Sequence, residues 1–111
     1  MNENKLSEII IECAIKVHKA IGPGLLESVY EKILSYELKK KGLKVDCQVS
    51  IPITYENMIF NEGFRADIIV NDSVIIELKS IIDFVHFKQL LTYLKLTDKK
   101  LGLLINFKKT I

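Results

Sequence analysis

Apolar residues recur at helical spacing from the start of the chain, at Leu6, Ile9, Ile10, Cys13, Ala14, Val17 and Ile21, which predicts a first helix. "GPG", Gly22 to Gly24, must end it, because proline and glycine both break helices. Leu26, Val29, Tyr30, Ile33, Leu34 and Leu38 mark a second amphipathic helix, closed near Gly42 by a lysine run that complements the negative end of its dipole. The pattern then changes to period two. "VDCQVSIPITY", Val45 to Tyr55, predicts a half-buried strand in which Pro52 favours an edge or a strand end. After a turn at Glu56-Asn57, "MIF" resumes the strand, "NEG" interrupts it as a bulge or bend would, and "FRADIIV" carries it to the turn "NDS". "VIIELKS", Val74 to Ser80, is the next strand. "IDFVHFKQLLTYLKL" is a third helix with Phe84, Phe87, Leu90, Leu91 and Leu94 on its apolar side, and "LGLLINF" is a last, mostly buried strand. The order ααβββαβ predicts an α/β (α+β) fold, a mixed sheet with helices on both faces, in one domain spanning residues 1–111.

Two acidic residues interrupt this pattern in a way that defines the chemistry. In "VIIELKS" the side chains of Val74, Ile76 and Leu78 point one way and those of Ile75, Glu77 and Lys79 the other. The hairpin around Asn71 to Ser73 is registered by matching faces: Phe64, Ala66, Ile68 and Val70 must share a face with Val74, Ile76 and Leu78. Val70 then opposes Val74, Ala66 faces Leu78, Asp67 falls opposite Glu77, and Arg65 faces Lys79. Opposed residues hold their Cβ atoms roughly 4.5–5.5 Å apart, and like charges so placed are destabilising. Either Lys79 and Arg65 act as counter-ions on a solvated sheet face, or the carboxylates hold a divalent cation such as Mg²⁺, which takes oxygen ligands from one or two carboxylates.

A third carboxylate bears on that choice. On a wheel turning roughly 100° per residue from Leu26, Glu27 falls near 100°, between Leu34 at about 80° and Leu38 at about 120°, on the margin of the buried stripe. It is a candidate site residue and also a helix N-terminal carboxylate that favours the dipole. On the third helix His86, Gln89 and Tyr93 are spaced i, i+3, i+7 and share a face. Gln89 suits a position beside Lys79, His86 a solvent-facing or capping one, and Tyr93 packing with its hydroxyl near the site.

Composition sets limits without choosing a function. The chain of 111 residues is 49% apolar and 27% charged, an ordinary globular balance, with a formal charge of +2. Its basic clusters, Lys39-Lys40-Lys41, Lys99-Lys100 and Lys108-Lys109, suit phosphates and solvated element ends alike. The polar start and the lack of a long apolar run predict a cytoplasmic protein with no membrane partner. Cys13 and Cys47 are too far apart for a CxxC signature and read as reduced core residues.

Taken together, Asp67 and "ELK" at Glu77 to Lys79 resemble the acidic residue and E-x-K pair of the PD-(D/E)xK nuclease superfamily. "GLLESVY", Gly24 to Tyr30, resembles the signature of the small GxxExxY proteins, and "FRADIIV", "IIELKS", "QLLTYLKL" and "GLLINF" follow in the expected order. "Q-x-x-x-Y", Gln89 and Tyr93, is similar to a motif of exonuclease-like branches. The resemblance implies a restriction-endonuclease-like core and Mg²⁺-dependent (or Mn²⁺-dependent) hydrolysis of nucleic acid, DNA more than RNA. Asp67, Glu77, the Leu78 carbonyl and Glu27 would hold the metal, Lys79 would act on the attacking water, and Gln89 would orient the group around it. Arg65, Tyr93 and Gln48 are candidate substrate contacts, and cutting both strands would favour a homodimer. The alternative is a catalytically silent nucleic-acid-binding or partner-binding module that keeps the same fold.

Overall fold

A computed structural model describes residues 1–80 and 82–107; Lys108 and Lys109, the last basic cluster, lie outside the described residues. The elements are α1 (Glu3–Ile21), α2 (Glu27–Lys40), β1 (Val45–Tyr55), β2 (Met58–Val70), β3 (Val74–Lys79), α3 (Phe84–Thr97) and β4 (Leu101–Asn106), the order expected from the periodicities. The Asn2 side chain caps α1 by accepting from Lys5 N at 2.8 Å, a bond that satisfies one of the free N–H groups of the first turn. Gly22 ends the helix, its N–H bonding His18 O at 2.7 Å. The Tyr30 hydroxyl donates to Gly22 O and accepts from Leu25 N at 3.3 Å, and its ring stacks on Phe107 at 4.3 Å. These contacts hold the "GPG" corner and so set where α2 begins.

The sheet has the order β1-β2-β3-β4, antiparallel through the first three strands and parallel between β3 and β4, with α3 as the crossover. Glu56 and Asn57 both adopt positive φ, 49° and 67°, as the tight turn between β1 and β2 requires. The "NEG" interruption is a bulge: the register of β1 on β2 shifts between Ile51 and Ile53, opposite Asn61 to Gly63. Glycine is needed there because a Cβ at position 63 would lie 2.4 Å from Ile53 Cγ1 and 2.7 Å from Ile51 O.

Two apolar layers cover the sheet. α1 and α2 bury Leu6, Ile10, Leu34 and Leu38 against Ile68, Val70, Val74, Ile76 and Leu78. On the opposite face Leu90 of α3 packs with Ala66, Ile69 and Ile75, flanked by Phe64 and Tyr93, whose rings stack at 3.7 Å. α3 lies close because Gly102 offers no Cβ, which would otherwise stand 2.7 Å from Leu90 Cδ1.

Three expectations are corrected by this packing. Phe64 and Ala66 do not share a layer with Ile68 and Val70: β2 changes layers at Asp67, opposite Gln48, whose φ of 52° breaks the regular pleat of β1. Cys47 is exposed, unlike buried Cys13, because β1 is the edge strand. On α3 the apolar stripe is only half covered: Leu90 is buried while Phe84, Phe87 and Leu91 are exposed. Among the described residues no helix is long and apolar enough to cross a membrane.

Candidate functional site

The registered part of the β2–β3 hairpin is the predicted one, Val70↔Val74, Ile69↔Ile75 and Ile68↔Ile76, but the pairing stops there. The Asp67 carboxylate takes over: its Oδ2 accepts the Leu78 N–H at 2.8 Å. Arg65 therefore does not face Lys79. It pairs with Ser50 of β1 and is exposed, while Lys79 runs beside Asn106 of β4. The strands part where a side-chain acceptor replaces a backbone one, and this opening is where the acidic residues gather.

A cleft of about 170 Å³ is lined by Glu27, Ser28, Glu31, Gln48, Asp67 and Leu78. Gln48 closes one wall, its Nε2 donating to Glu31 Oε1 at 2.5 Å and to Asp67 Oδ1 at 3.4 Å. The left-handed backbone of Gln48 is uncommon for a residue with a Cβ, so the bulk of the fold holds it there. Glu27, the first residue of α2, has its Oε2 on the Ser80 N–H at 2.8 Å and so reaches the end of β3. It is also a wall of a second cleft, of about 130 Å³, that Lys79, Ser80, Tyr30 and Phe107 line. Glu27 is thus both the first residue of α2 and a wall of the two clefts.

Glu77 lies behind the cleft and is 6% exposed, which excludes an ordinary solvated sheet face. Its Oε1 is buried without a hydrogen-bond partner. Burial first, then the charge of Asp67 and a hydrogen bond shared with it, push the Glu77 carboxyl up to about 8, with Lys79 partly opposing. Burial likewise raises Glu31, an effect the Gln48 bond reduces and the charge of Asp67 reinforces. Tyr93 is raised by burial and then by the charges of Glu77 and Asp67.

Other candidates stand apart. Gln89 is exposed on α3. His86 takes the capping role: its Nδ1 accepts the Asp83 N–H at 3.0 Å in a reciprocal box with the Asp83 side chain. Glu31 is the residue that sequence reasoning passed over. The wheel that places Glu27 on the margin of the buried stripe places Glu31, four residues on, on the same margin.

The donor chemistry of Asp67, Glu77 and the Leu78 carbonyl suits a hard divalent cation, and the orphaned Oε1 of Glu77 is an oxygen donor in want of a partner. Among the described residues, however, no three His, Cys, Asp or Glu side chains converge on a point that could hold a metal. Two of the carboxylates are already bonded to backbone N–H groups.

A mixed sheet between helices, with an acidic residue meeting an E-x-K strand end, is the core of a nuclease-like protein. Residues 4–111 match the PD-(D/E)XK nuclease superfamily, and the chain belongs to it. No curated protein and no solved structure matches the chain.

Proposed function

We propose that the protein is a nucleic-acid-binding module that keeps the nuclease fold, acting on DNA in preference to RNA. The observation that carries this reading is the state of the acidic cleft: Asp67 and Glu27 bond Leu78 N and Ser80 N, and no metal-binding trio converges among the described residues. Lys79 at the neighbouring cleft and exposed Arg65 are the cations nearest the site in sequence and supply phosphate contacts. Gln48 at the cleft, and Tyr93 on α3, would meet a sugar or base edge. "GLLESVY" supports a narrower placement among the GxxExxY proteins, cytoplasmic and built as one domain.

A second reading, hydrolysis, is favoured by one observation: the unpartnered Oε1 of Glu77 beside Asp67. Asp67, Glu77, the Leu78 carbonyl and Glu27 would hold Mg²⁺ or Mn²⁺, which when bound polarises a phosphoryl oxygen and lowers the pKa of water. Lys79 would stabilise charge developing on the phosphate, and Gln89 would turn inward to orient it.

The test is binding and cleavage measured on the same preparation. Salt-dependent DNA binding without cleavage in Mn²⁺ supports the module, because phosphate contacts release counter-ions. Cleavage that EDTA abolishes, and that Lys79→Ala lowers far more than it lowers binding, replaces the module with the enzyme. Neither binding nor cleavage removes both readings.

A further inference from the structure

The β1–β2 hairpin extends beyond the rest of the sheet. β3 pairs only with Ile68–Val70, so residues 51–64 form an arm of two strands, a structure that is marginal unless something packs on it. On this arm Ile51 opposes Phe64, Ile53 opposes Phe60 and Tyr55 opposes Met58. Opposed and alternate residues share a side, so these six make one apolar face. α3 covers its base, where Phe64 stacks on Tyr93. Further out the cover ends, and Phe60, Met58 and Tyr55 are 47%, 61% and 64% exposed.

A second uncovered stripe lies on the outer side of α3. Phe84, Phe87 and Leu91, at i, i+3 and i+7, are 69%, 49% and 66% exposed. Single exposed apolar residues are ordinary, but two continuous stripes mark a surface that is covered in use.

Charge identifies the cover. On the arm, residues 51–64, the chain has no lysine or arginine, and its charged residues are Glu56 and Glu62. Such an arm has nothing to offer a phosphate. The stripe on α3 is flanked by Lys88 and Lys95, which fall within about 40° of Phe84 on the helical wheel. An acidic apolar arm and a basic apolar helix face thus complement each other. They do not meet within one molecule, because α3 already turns its inner side, Leu90 and Tyr93, to the base of the same arm.

The surface area agrees with this. A chain of 12.7 kDa is expected to expose about 6,200 Å² as a compact monomer, whereas this one, 47 × 30 × 20 Å, exposes 7199 Å². That surface is ample for a standard interface, which buries about 800 Å² per partner. We infer that two copies of the chain form a twofold dimer in which the arm of each lies on the outer stripe of α3 of the other. The contact is isologous and is made twice.

Sedimentation velocity on the full chain tests it, with Met58→Asp on the arm and Leu91→Lys on the helix. The wild type is dimeric at about 100 µM, and each variant alone raises the dimer Kd about 30-fold or more. Mixing the two variants restores the dimer, since the heterodimer keeps one intact contact and pairs the new aspartate with the new lysine in the other. Circular dichroism melting confirms folding, and Phe60→Ser with Phe84→Ser is a milder second pair. A monomeric wild type at about 100 µM overturns the inference, as does a dimer indifferent to the variants. Failure of mixing to restore the dimer overturns it too, because arms that pair with arms cannot be complemented by a helix variant.

Discussion

On one face of the sheet α1 and α2 bury Leu6, Ile10, Leu34 and Leu38 completely against Ile68, Val70, Val74 and Ile76; on the other α3 buries Leu90 and leaves Phe84, Phe87 and Leu91 in solvent. Two helices share the first face, whereas the single crossover helix α3 covers the second alone. The first layer holds most of the buried apolar side chains. The second is thinner and leaves the arm uncovered at its edge, while the cleft opens beside α2, walled by Glu27, Ser28 and Glu31. Asp67 sits at the seam, between Ala66 of the α3 layer and Ile68 of the α1–α2 layer, so that the acidic site occupies the position where neither layer is complete.

The largest expected effect tests the inequality of the layers. Ile76→Ala, at a fully buried position, should destabilise by about 4 kcal/mol and Leu90→Ala by about 2 kcal/mol, because the thinner layer relaxes more easily around the space left. At roughly 4 °C or more per kcal/mol, thermal melting resolves the difference. An equal or reversed ranking would break the comparison.

The seam itself is tested by pH. Glu77 titrates near 8 when folded, above its ordinary 4.5, so between these values the folded state holds a proton that the unfolded chain has lost. That contribution to stability is complete below about 4.5 and is lost as pH rises through about 8. The wild-type melting temperature should fall by about 5 °C between pH 6 and pH 8.5, and Glu77→Gln, neutral throughout, should abolish the fall. A variant that retains the wild-type slope would show that some other group titrates there.

The smallest effect concerns Gln48. Its positive φ is relieved by glycine and kept by alanine, while both substitutions lose the bonds to Glu31 and Asp67. Gln48→Gly should therefore be more stable than Gln48→Ala by about 1 kcal/mol, readable in urea denaturation. If alanine is the more stable of the two, the backbone there is not strained.

What could be read from the chain was local. Helical spacing from Leu6 to Ile21, strict alternation from Val45 to Tyr55, the Glu56-Asn57 turn and the Val70↔Val74 register all arise within a few residues, and short-range sterics and one repeating period determine them. Extending that register set Asp67 opposite Glu77, whereas the observed pairing ends at Ile68↔Ile76 and Asp67 accepts the Leu78 N–H instead. The change of layer at Asp67, the convergence of Glu31 and Gln48 on it, the exposure of Cys47 and the bare half of α3 were decided only in three dimensions. Periodicity says which side of an element is apolar, but not how far its neighbour extends to cover it. That depends on the twist of the sheet and the lengths of the helices laid across it, and these bring together residues as distant in sequence as Glu31 and Asp67.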